Sequence, residues 1–522
     1  MSLVFSKVGS SLKDGLRPRF TRSKMLLSLV SGTLPIALLA FSGAADAAYS
    51  IDTREDILTT ASTLAYDLMK FYDGNQTGKI PGILPGPPDS GTGDYYWWQG
   101  GAMMGTYVDY WYYTGDESYN HVITEGMLHQ TGSDRDYMPK NHTLSLGNDD
   151  QGFWGMTAML AAENKFPDPP EDEPQWLALA QAVWTTQADP ERHDSTCGGG
   201  MRWQVPRTNV GYDYKNTISN GCFFNIGARL ARYTGNDTYA RYAEETWDWL
   251  WAVNYIDHEN WRVYDGGHVP QNCTNIFKAT FSYNIGVLMQ GCAFLANYTG
   301  EQKWLDRTQA LANRAIEDFF ADGAAYEIPC EFETGRCSQD MLSFKGYLHR
   351  WMTVVTQLVP STRDLIMPVL RNSTASAIRQ CTGGATGRVC GFYWTRGEFI
   401  DPAVDKTSGA GEAMNVLAAV QSLLEVDPPA TNNTGGTSKG DPNAGLNSNP
   451  FKEPSPISTG DRAGAGILTV VVLVSAVAIW GWMSIPHAEW NETKGKEKEK
   501  MRPKSTDLDV SQESVTPVKV VT

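Results

Sequence analysis

The sequence contains no H-E-x-x-H, no G-x-S-x-G and no dinucleotide-binding glycine fingerprint. Those motifs carry zinc-assisted hydrolysis, a serine nucleophile and hydride transfer, respectively. No C-x-x-C pair occurs, and the 8 histidines are scattered without ligand spacing. A metal centre or other cofactor is therefore not expected. Positive charge is scarce: 43 Lys and Arg stand against 59 Asp and Glu, a formal charge of −16. A nucleic-acid binder needs a basic surface that displaces counterions, so nucleic acid is excluded as a partner, and an acidic polymer equally. A neutral substrate fits this balance.

What is present is a chain of 522 residues with 41% hydrophobic and 20% charged residues, enough for a large core. Aromatics reach 11%, with 17 Trp and 23 Tyr. Such side chains bury large areas and also line sites for flat, partly apolar ligands. At the N-terminus, Lys7, Lys13, Arg17, Arg19, Arg22 and Lys24 precede an apolar run over 25–41 and then Ala44, Ala45, Ala47 and Ala48. This order predicts a signal peptide over 1–48, with a retained signal anchor as the alternative.

All cysteines lie between Cys197 and Cys390, within the expected exported domain, and their even number predicts disulfides. Cys330 with Cys337 and Cys381 with Cys390 are the closest pairs. The pairing of Cys197, Cys222, Cys273 and Cys292 is open. N-glycosylation acceptors occur at Asn75, Asn141, Asn236, Asn272, Asn297, Asn372 and Asn432.

Near the C-terminus, a Pro-, Gly-, Asn- and Ser-rich stretch over 427–462 predicts a flexible linker. A nearly uncharged run over 463–485 then predicts a transmembrane helix. Lys494, Lys496, Lys498, Lys500, Arg502 and Lys504 follow it, which marks 486–522 as a cytoplasmic tail. A GPI signal is the alternative, but there the chain normally ends with the hydrophobic tail. The expected location is the cell surface or a secretory-pathway membrane, single-pass, with the main domain extracellular or lumenal.

Between these flanks a pattern repeats. Tyr113-Thr114-Gly115-Asp116, Tyr233-Thr234-Gly235-Asn236 and Tyr298-Thr299-Gly300-Glu301 each close an Ala-, Gly- and Leu-rich run. Glycine suits the left-handed residue after a helix, and the polar residue after it suits the start of the next. Weaker ends of the same kind fall near Phe166, Val359 and Leu424, so the six recur about every 60 residues. A fixed period marks a repeat architecture. It predicts an all-α domain over 49–426, six helical hairpins closed into an (α/α)6 toroid of about twelve helices. Sites in such a ring would lie where the loops meet at one end.

The sharpest candidate site is Gly147-Asn148-Asp149-Asp150-Gln151-Gly152-Phe153-Trp154. Phe153, Met156, Thr157 and Leu160 share a helical face, so both aspartates sit at a helix start. There they can converge on one ligand. Glycoside hydrolysis commonly uses one ionised and one protonated carboxyl, about 5–5.5 Å apart when configuration is retained, and adjacent side chains can reach that spacing. The helix N-terminus favours the anion, and its charge raises the neighbour's pKa. The plain alternative is a helix cap. Asp94, Trp97, Trp98 and Gln99 supply aromatic faces and an amide for cradling a sugar, although tryptophans at helical spacing also pack cores. Two adjacent tryptophans are not expected to face the same way. Arg202 and Trp203 follow a glycine run that lacks the Lys-Ser/Thr of a phosphate loop. Tyr283 and Asn284, and Lys345 and Arg350, stand at the starts of later helical runs, where the basic pair could equally be solvated or salt-bridged.

Together, Trp97-Trp98-Gln99, Asn148-Asp149-Asp150-Gln151, the stretch 198–204, Ser219-Asn220-Gly221, Tyr283-Asn284 and the stretch 344–350 resemble the family 76 glycoside hydrolases, endo-α-1,6-mannanases, and most closely their fungal cell-wall branch. The resemblance covers about residues 50–425. It implies an (α/α)6 fold and retaining hydrolysis of α-1,6-linked mannose, with Asp149 as nucleophile and Asp150 as general acid/base. Asp94, Trp97, Trp98, Gln99, Gln151, Trp154, Arg202, Trp203, Asn220, Tyr283, Asn284, Lys345 and Arg350 are then candidate substrate contacts. Implied partners are α-1,6-mannan or the mannose core of GPI-anchor glycans, with wall glucan as a transfer acceptor. Two other readings stand beside hydrolysis: a transglycosylase that joins GPI glycoproteins to glucan, and a non-catalytic mannan-binding wall scaffold.

Overall fold

A computed structural model describes residues 49–142, 145–424, 436–446 and 459–484. The expected signal peptide, the tail over 486–522 and Asn432 lie outside the described residues. The main domain carries helices α1 (Arg54–Met69), α2 (Trp97–Thr114), α3 (Asn120–His129), α4 (Asn148–Glu163), α5 (Trp176–Gln187) and α6 (Thr217–Thr234). It continues with α7 (Asp237–Ala252), α8 (Ser282–Thr299), α9 (Gln302–Phe319), α10 (Phe344–Leu358), α11 (Arg363–Arg379) and α12 (Ala410–Gln421).

The even-numbered helices form an inner ring. Each packs on the next, from α2 through α4, α6, α8 and α10 to α12, and α12 packs back on α2. The odd-numbered helices lie outside it. Composition follows position. Inner α4 is buried along nearly its whole length, from Gln151 to Glu163, as a helix that is apolar on most sides must be. Outer α9 buries only the stripe Trp304, Thr308, Leu311, Ala312, Ala315 and Phe319 and turns its charges to solvent. Gly115, Gly235 and Gly300 end α2, α6 and α8 in the left-handed conformation, as the repeated motif predicts.

Five hairpins are sequential. The sixth is not: α12 takes α1, from the other end of the domain, as its outer partner. Ring closure therefore joins the first helix to the last, and no end hairpin needs a polar cap.

Strand is confined to short pieces. Strands β1 (Tyr214–Asn216), β2 (Gly266–His268) and β3 (Ile276–Phe277) make a three-stranded antiparallel sheet. Strands β4 (Cys381–Gly383) and β5 (Val389–Cys390) make a hairpin closed by the Cys381–Cys390 disulfide. Cys330 pairs with Cys337, again as spacing predicts, and Cys197 pairs with Cys273. Cys222 and Cys292 are free thiols, contrary to the expectation that an even count pairs throughout. Both are fully buried within inner helices, where a thiol packs as a small apolar group. Asn75, Asn141, Asn236, Asn272, Asn297 and Asn372 are all exposed.

Within the stretch expected to be a linker, residues 436–446 lie along α5. Leu177, in the first turn of α5, donates its N–H to Ser438 Oγ at 3.0 Å, and Asp441 N donates to Gln181 Oε1 at 2.7 Å. Gln175 at the head of α5 supplies no side-chain cap, so Ser438 takes that place from a distant part of the chain. A final helix, α13 (Thr459–Ser484), contains a 23-residue apolar span over Arg462–Ser484 with mean hydropathy 2.3.

Candidate active site

All six inner helices begin at the same end of the ring, and a cavity of about 660 Å³ opens there. Trp97 and Trp98 of α2, Asp149, Asp150 and Phe153 of α4, Tyr283 of α8 and Phe344 of α10 line it. Loops between helices add Leu84, His142, Trp203, Asp265, Phe281 and Asp340. Its walls are largely aromatic: Tyr283 stacks on Phe344 with centroids 3.9 Å apart, and Trp97 stacks on His142 at 5.2 Å.

The aspartate pair occupies the first turn of α4. Asp150 reaches back and accepts the Gly147 N–H at 2.7 Å, the acidic half of a capping box. Asp149 Oδ1 accepts the Asp150 N–H at 3.2 Å. A side chain at position 147 would collide with both carboxylates: a Cβ there would lie 2.3 Å from Asp149 Oδ1 and 3.0 Å from Asp150 Oδ2. Gly152 likewise lets α4 approach Cys222 of α6, whose Cβ would stand 2.5 Å from any added Cβ.

The flanking amides hold this turn. Asn148 N donates to Trp203 O at 2.8 Å, and Asn148 Nδ2 to Arg202 O at 2.8 Å. The buried Arg192 guanidinium donates through Nη1 to Asn148 Oδ1 and Gln151 Oε1, each at 2.7 Å. Arg192 was not singled out in the sequence; an arginine in a loop carries no local signal of its destination.

Burial pushes the Asp149 carboxyl well above the usual range, and the charge of Asp150 adds to it. Asp150 is raised to about 7, again chiefly by burial, with the Gly147 N–H opposing the shift and the charge of Asp340 adding to it. A coupled pair raised in this way can retain a proton where an ordinary carboxylate has lost it, so one carboxyl can donate while the other attacks. A sugar gaining positive charge at its anomeric carbon beside Asp149 would favour the Asp149 anion.

Of the sequence candidates, Trp97, Trp98, Asp149, Asp150, Trp203 and Tyr283 line the cavity together. Both adjacent tryptophans face it, contrary to expectation. The backbone at the start of α2 presents both rings, and Gln130 Oε1 and Asp340 Oδ1 accept their indole N–H groups at 2.7 and 3.1 Å. The remaining candidates hold the walls instead. Asp94 accepts the Ser408 N–H, and Gln99 Oε1 accepts the Tyr96 N–H at 2.9 Å. Gln151 and Trp154 are buried behind the pair. Arg202 donates to Asp194 at 2.6 Å, Asn220 clamps the Met201 backbone, and Asn284 Nδ2 reaches Asp265 at 3.4 Å. Lys345 pairs with the buried Glu331, and Arg350 with Asp109 at 2.5 Å. Position 345 turns away from the cavity, and position 350 lies more than a helical turn below the mouth.

Two cavity carboxylates escaped the sequence reading. Asp265 stands just before β2 and Asp340 four residues before α10; only proximity to flagged motifs could have marked them. Among the described residues no cluster of His, Cys, Asp and Glu is arranged to hold a metal ion.

A closed double ring of helices with a carboxylate pair in an aromatic cleft defines a class of carbohydrate-active fold. The chain belongs to glycosyl hydrolase family 76, whose model matches residues 56–433. It is 43% identical over 464 residues to the mannan endo-1,6-α-mannosidase DCW1 of Saccharomyces cerevisiae, covering 88% of this chain and 100% of that one. Among solved structures it resembles Dfg5 from Chaetomium thermophilum, crystallised with glucosamine, at 68% identity and a TM-score of 0.76, over 76% of this chain and 98% of that one. An inactive variant of the α-1,6-mannanase GH76A of Salegentibacter, with two consecutive aspartates replaced by asparagine and α-1,6-mannotriose bound, shares the fold at 17% identity and a TM-score of 0.56, over 71% and 99% of the two chains.

Proposed function

We propose that this chain is a retaining endo-α-1,6-mannosidase of the fungal cell surface. The observation that carries the proposal is the Asp149–Asp150 pair, fixed in one helical turn at the wall of an aromatic cavity, where burial raises both carboxyls. Asp149 attacks the anomeric carbon of a mannosyl unit while Asp150 protonates the departing oxygen. Asp150 then takes a proton from the incoming acceptor as that acceptor displaces Asp149. Two inversions at one carbon preserve the α configuration. The named activity of the Saccharomyces relative supports α-1,6-mannan as substrate. The glucosamine held by the Chaetomium relative supports glycans that join mannose to an amino sugar, as GPI anchors do.

A second reading uses the same intermediate with a glucan acceptor in place of water. The apolar lining from Leu84, Phe281, Met341 and Phe344 favours it, because such a wall holds a sugar better than it holds water. The apolar span of α13 is proposed to cross a bilayer, with the basic tail cytoplasmic. Phospholipase release of the protein from cells would show a lipid anchor instead.

The test is incubation with α-1,6-mannan, with and without a β-glucan acceptor, reading the anomeric configuration of early products by NMR. Shortened α-anomers support retaining hydrolysis, and mannosyl-glucan conjugates support transfer. Binding with neither product leaves a wall scaffold.

A further inference from the structure

The cavity contains more carboxylate than one glycosidic cleavage uses. Asp149, Asp150, Asp265 and Asp340 all line it, and among the described residues no lysine or arginine does. A carboxylate withdrawn from water needs hydrogen-bond donors, and the four differ in how well they are supplied. Asp149 and Asp150 take backbone N–H groups. Asp265 is satisfied on both oxygens, by the Tyr214 hydroxyl at 2.6 Å and by Asn284 Nδ2 at 3.4 Å. Asp340 receives the Trp98 indole N–H on Oδ1 at 3.1 Å, and no other described side chain donates to its carboxylate.

The backbone that carries Asp340 is fixed. Its carbonyl accepts from Ser343 Oγ at 2.8 Å and Ser343 N at 3.1 Å. Gln99 Nε2 holds the preceding carbonyl, of Gln339, at 3.2 Å. The Cys330–Cys337 disulfide closes the loop just upstream. A half-buried carboxylate is thus presented to the cavity on a rigid turn, with one oxygen tied to Trp98 and no described side-chain donor on the other.

We propose that Asp340 is a third substrate-facing carboxylate of this site, whose Oδ2 accepts hydrogen bonds from hydroxyl groups of the sugar bound beside Asp149 and Asp150. The inference rests on the glycosidase reading and deepens it: Asp340 selects sugars that place hydroxyl donors at this wall. Trp98 sets the carboxylate plane, so the acceptor is already oriented when the sugar arrives. A ligand lacking those hydroxyls would leave a desolvated anion unpaired, which is a strong basis for rejection.

Asp340 also acts on the pair through its charge, which raises the proton affinity of both carboxyls. Other groups around the pair are Tyr283 of α8, Tyr347 of α10, Cys222 of α6, Tyr214 of β1, Asp265 before β2 and His142 before α4. Arg350, deeper in the ring, is taken by Asp109. Removing the Asp340 charge lowers the proton affinity of the pair, so the alkaline limb of the pH–rate profile moves to lower pH.

The test uses the full chain. Asp340→Asn keeps the side-chain size and an oxygen for Trp98 but loses the charge. In an Asp149→Asn background, α-1,6-mannotriose is titrated calorimetrically with and without Asp340→Asn. The expected result is a tenfold to hundredfold rise in Kd, about the contribution of hydrogen bonds to a charged group. Asp340→Asn alone is expected to raise KM and to move the alkaline limb acidward. An unchanged Kd with an unmoved alkaline limb overturns the proposal and leaves Asp340 as a brace for Trp98. Should Asp340→Asn fail to fold, Trp98→Phe, which keeps a ring against Phe153 and drops the N–H, is expected to weaken mannotriose binding severalfold; an unchanged Kd there overturns it equally. Full activity of Asp149→Asn would instead remove the glycosidase reading itself.

Discussion

Two sets of buried acids in this ring are held in opposite ways. Glu163 pairs with Arg229 and Asp109 with Arg350, each at 2.5 Å, and Glu331 pairs with Lys345. Each of these anions has a cation in contact. At the mouth, Asp149, Asp150 and Asp340 face a cavity that, among the described residues, no lysine or arginine lines. Pairing neutralises the first group and commits it to architecture, because removing one partner strands the other. The absence of pairing leaves the second group with perturbed proton affinities and acceptors still to be satisfied, which is what acid–base chemistry on a sugar requires. The same contrast explains why Lys345 and Arg350, set beside aromatics at a helix start, are structural: each belongs to an acid of the first population.

The largest effect should come from the mouth. Asp149→Asn is expected to reduce kcat/KM by about a thousandfold or more while leaving the melting temperature at or above the wild-type value, measured by reducing-end release and calorimetry. Asparagine caps helices about as well as aspartate, so near-normal activity would return the pair to the architectural population. Next comes the reverse experiment within the ring. Arg229→Met leaves Glu163 buried and unpaired and is expected to cost about 3–5 kcal/mol in urea unfolding, with kcat unchanged in the fraction that remains folded.

The pH response should also separate the two. The pair's carboxyls are raised in the folded protein, so the folded state binds protons that the unfolded state has released. Their contribution to stability is present at low pH and is lost as pH rises from the ordinary carboxylate range through about 7. Activity should fall over the same upper range as the shared proton leaves. Asp149→Asn should flatten the pair's part of the stability profile, read as melting temperature against pH. The smallest effect belongs to the walls: Trp203→Ala is expected to raise KM about threefold to tenfold with little change in kcat, the size of one lost stacking contact.

The ring itself was legible because its signals are local. Gly115, Gly235 and Gly300 each mark a helix end where only a residue tolerant of positive φ is comfortable, and their spacing carries the sixfold period. The aspartate pair was legible for a similar reason, since two adjacent acids within a run of small and amide residues form a compact pattern. Asp340, Asp265 and Arg192 were not. Each is a single charged residue in a loop, brought to the site by contacts with chain tens to hundreds of residues away, such as the Trp98 indole for Asp340. The α1–α12 pairing was hidden likewise, because it joins the two ends of the domain.

The seat of residues 436–446 on α5 shortens the length of chain between the ring and α13. Measured from the end of α12, the run to α13 would be long enough for the ring to swing far from its attachment. With Ser438 capping α5 and Asp441 tied to Gln181, the chain that separates this seat from α13 is only residues 447–458. Fully extended, that length spans at most about 40 Å. With α13 in a bilayer, the mouth would then sweep a thin layer next to that bilayer and not the depth of a wall. Glycans carried by neighbours in the same membrane would come within its range, and polymer deposited farther out would have to come to it. Cutting the strap's two hydrogen bonds would widen that layer without touching the chemistry.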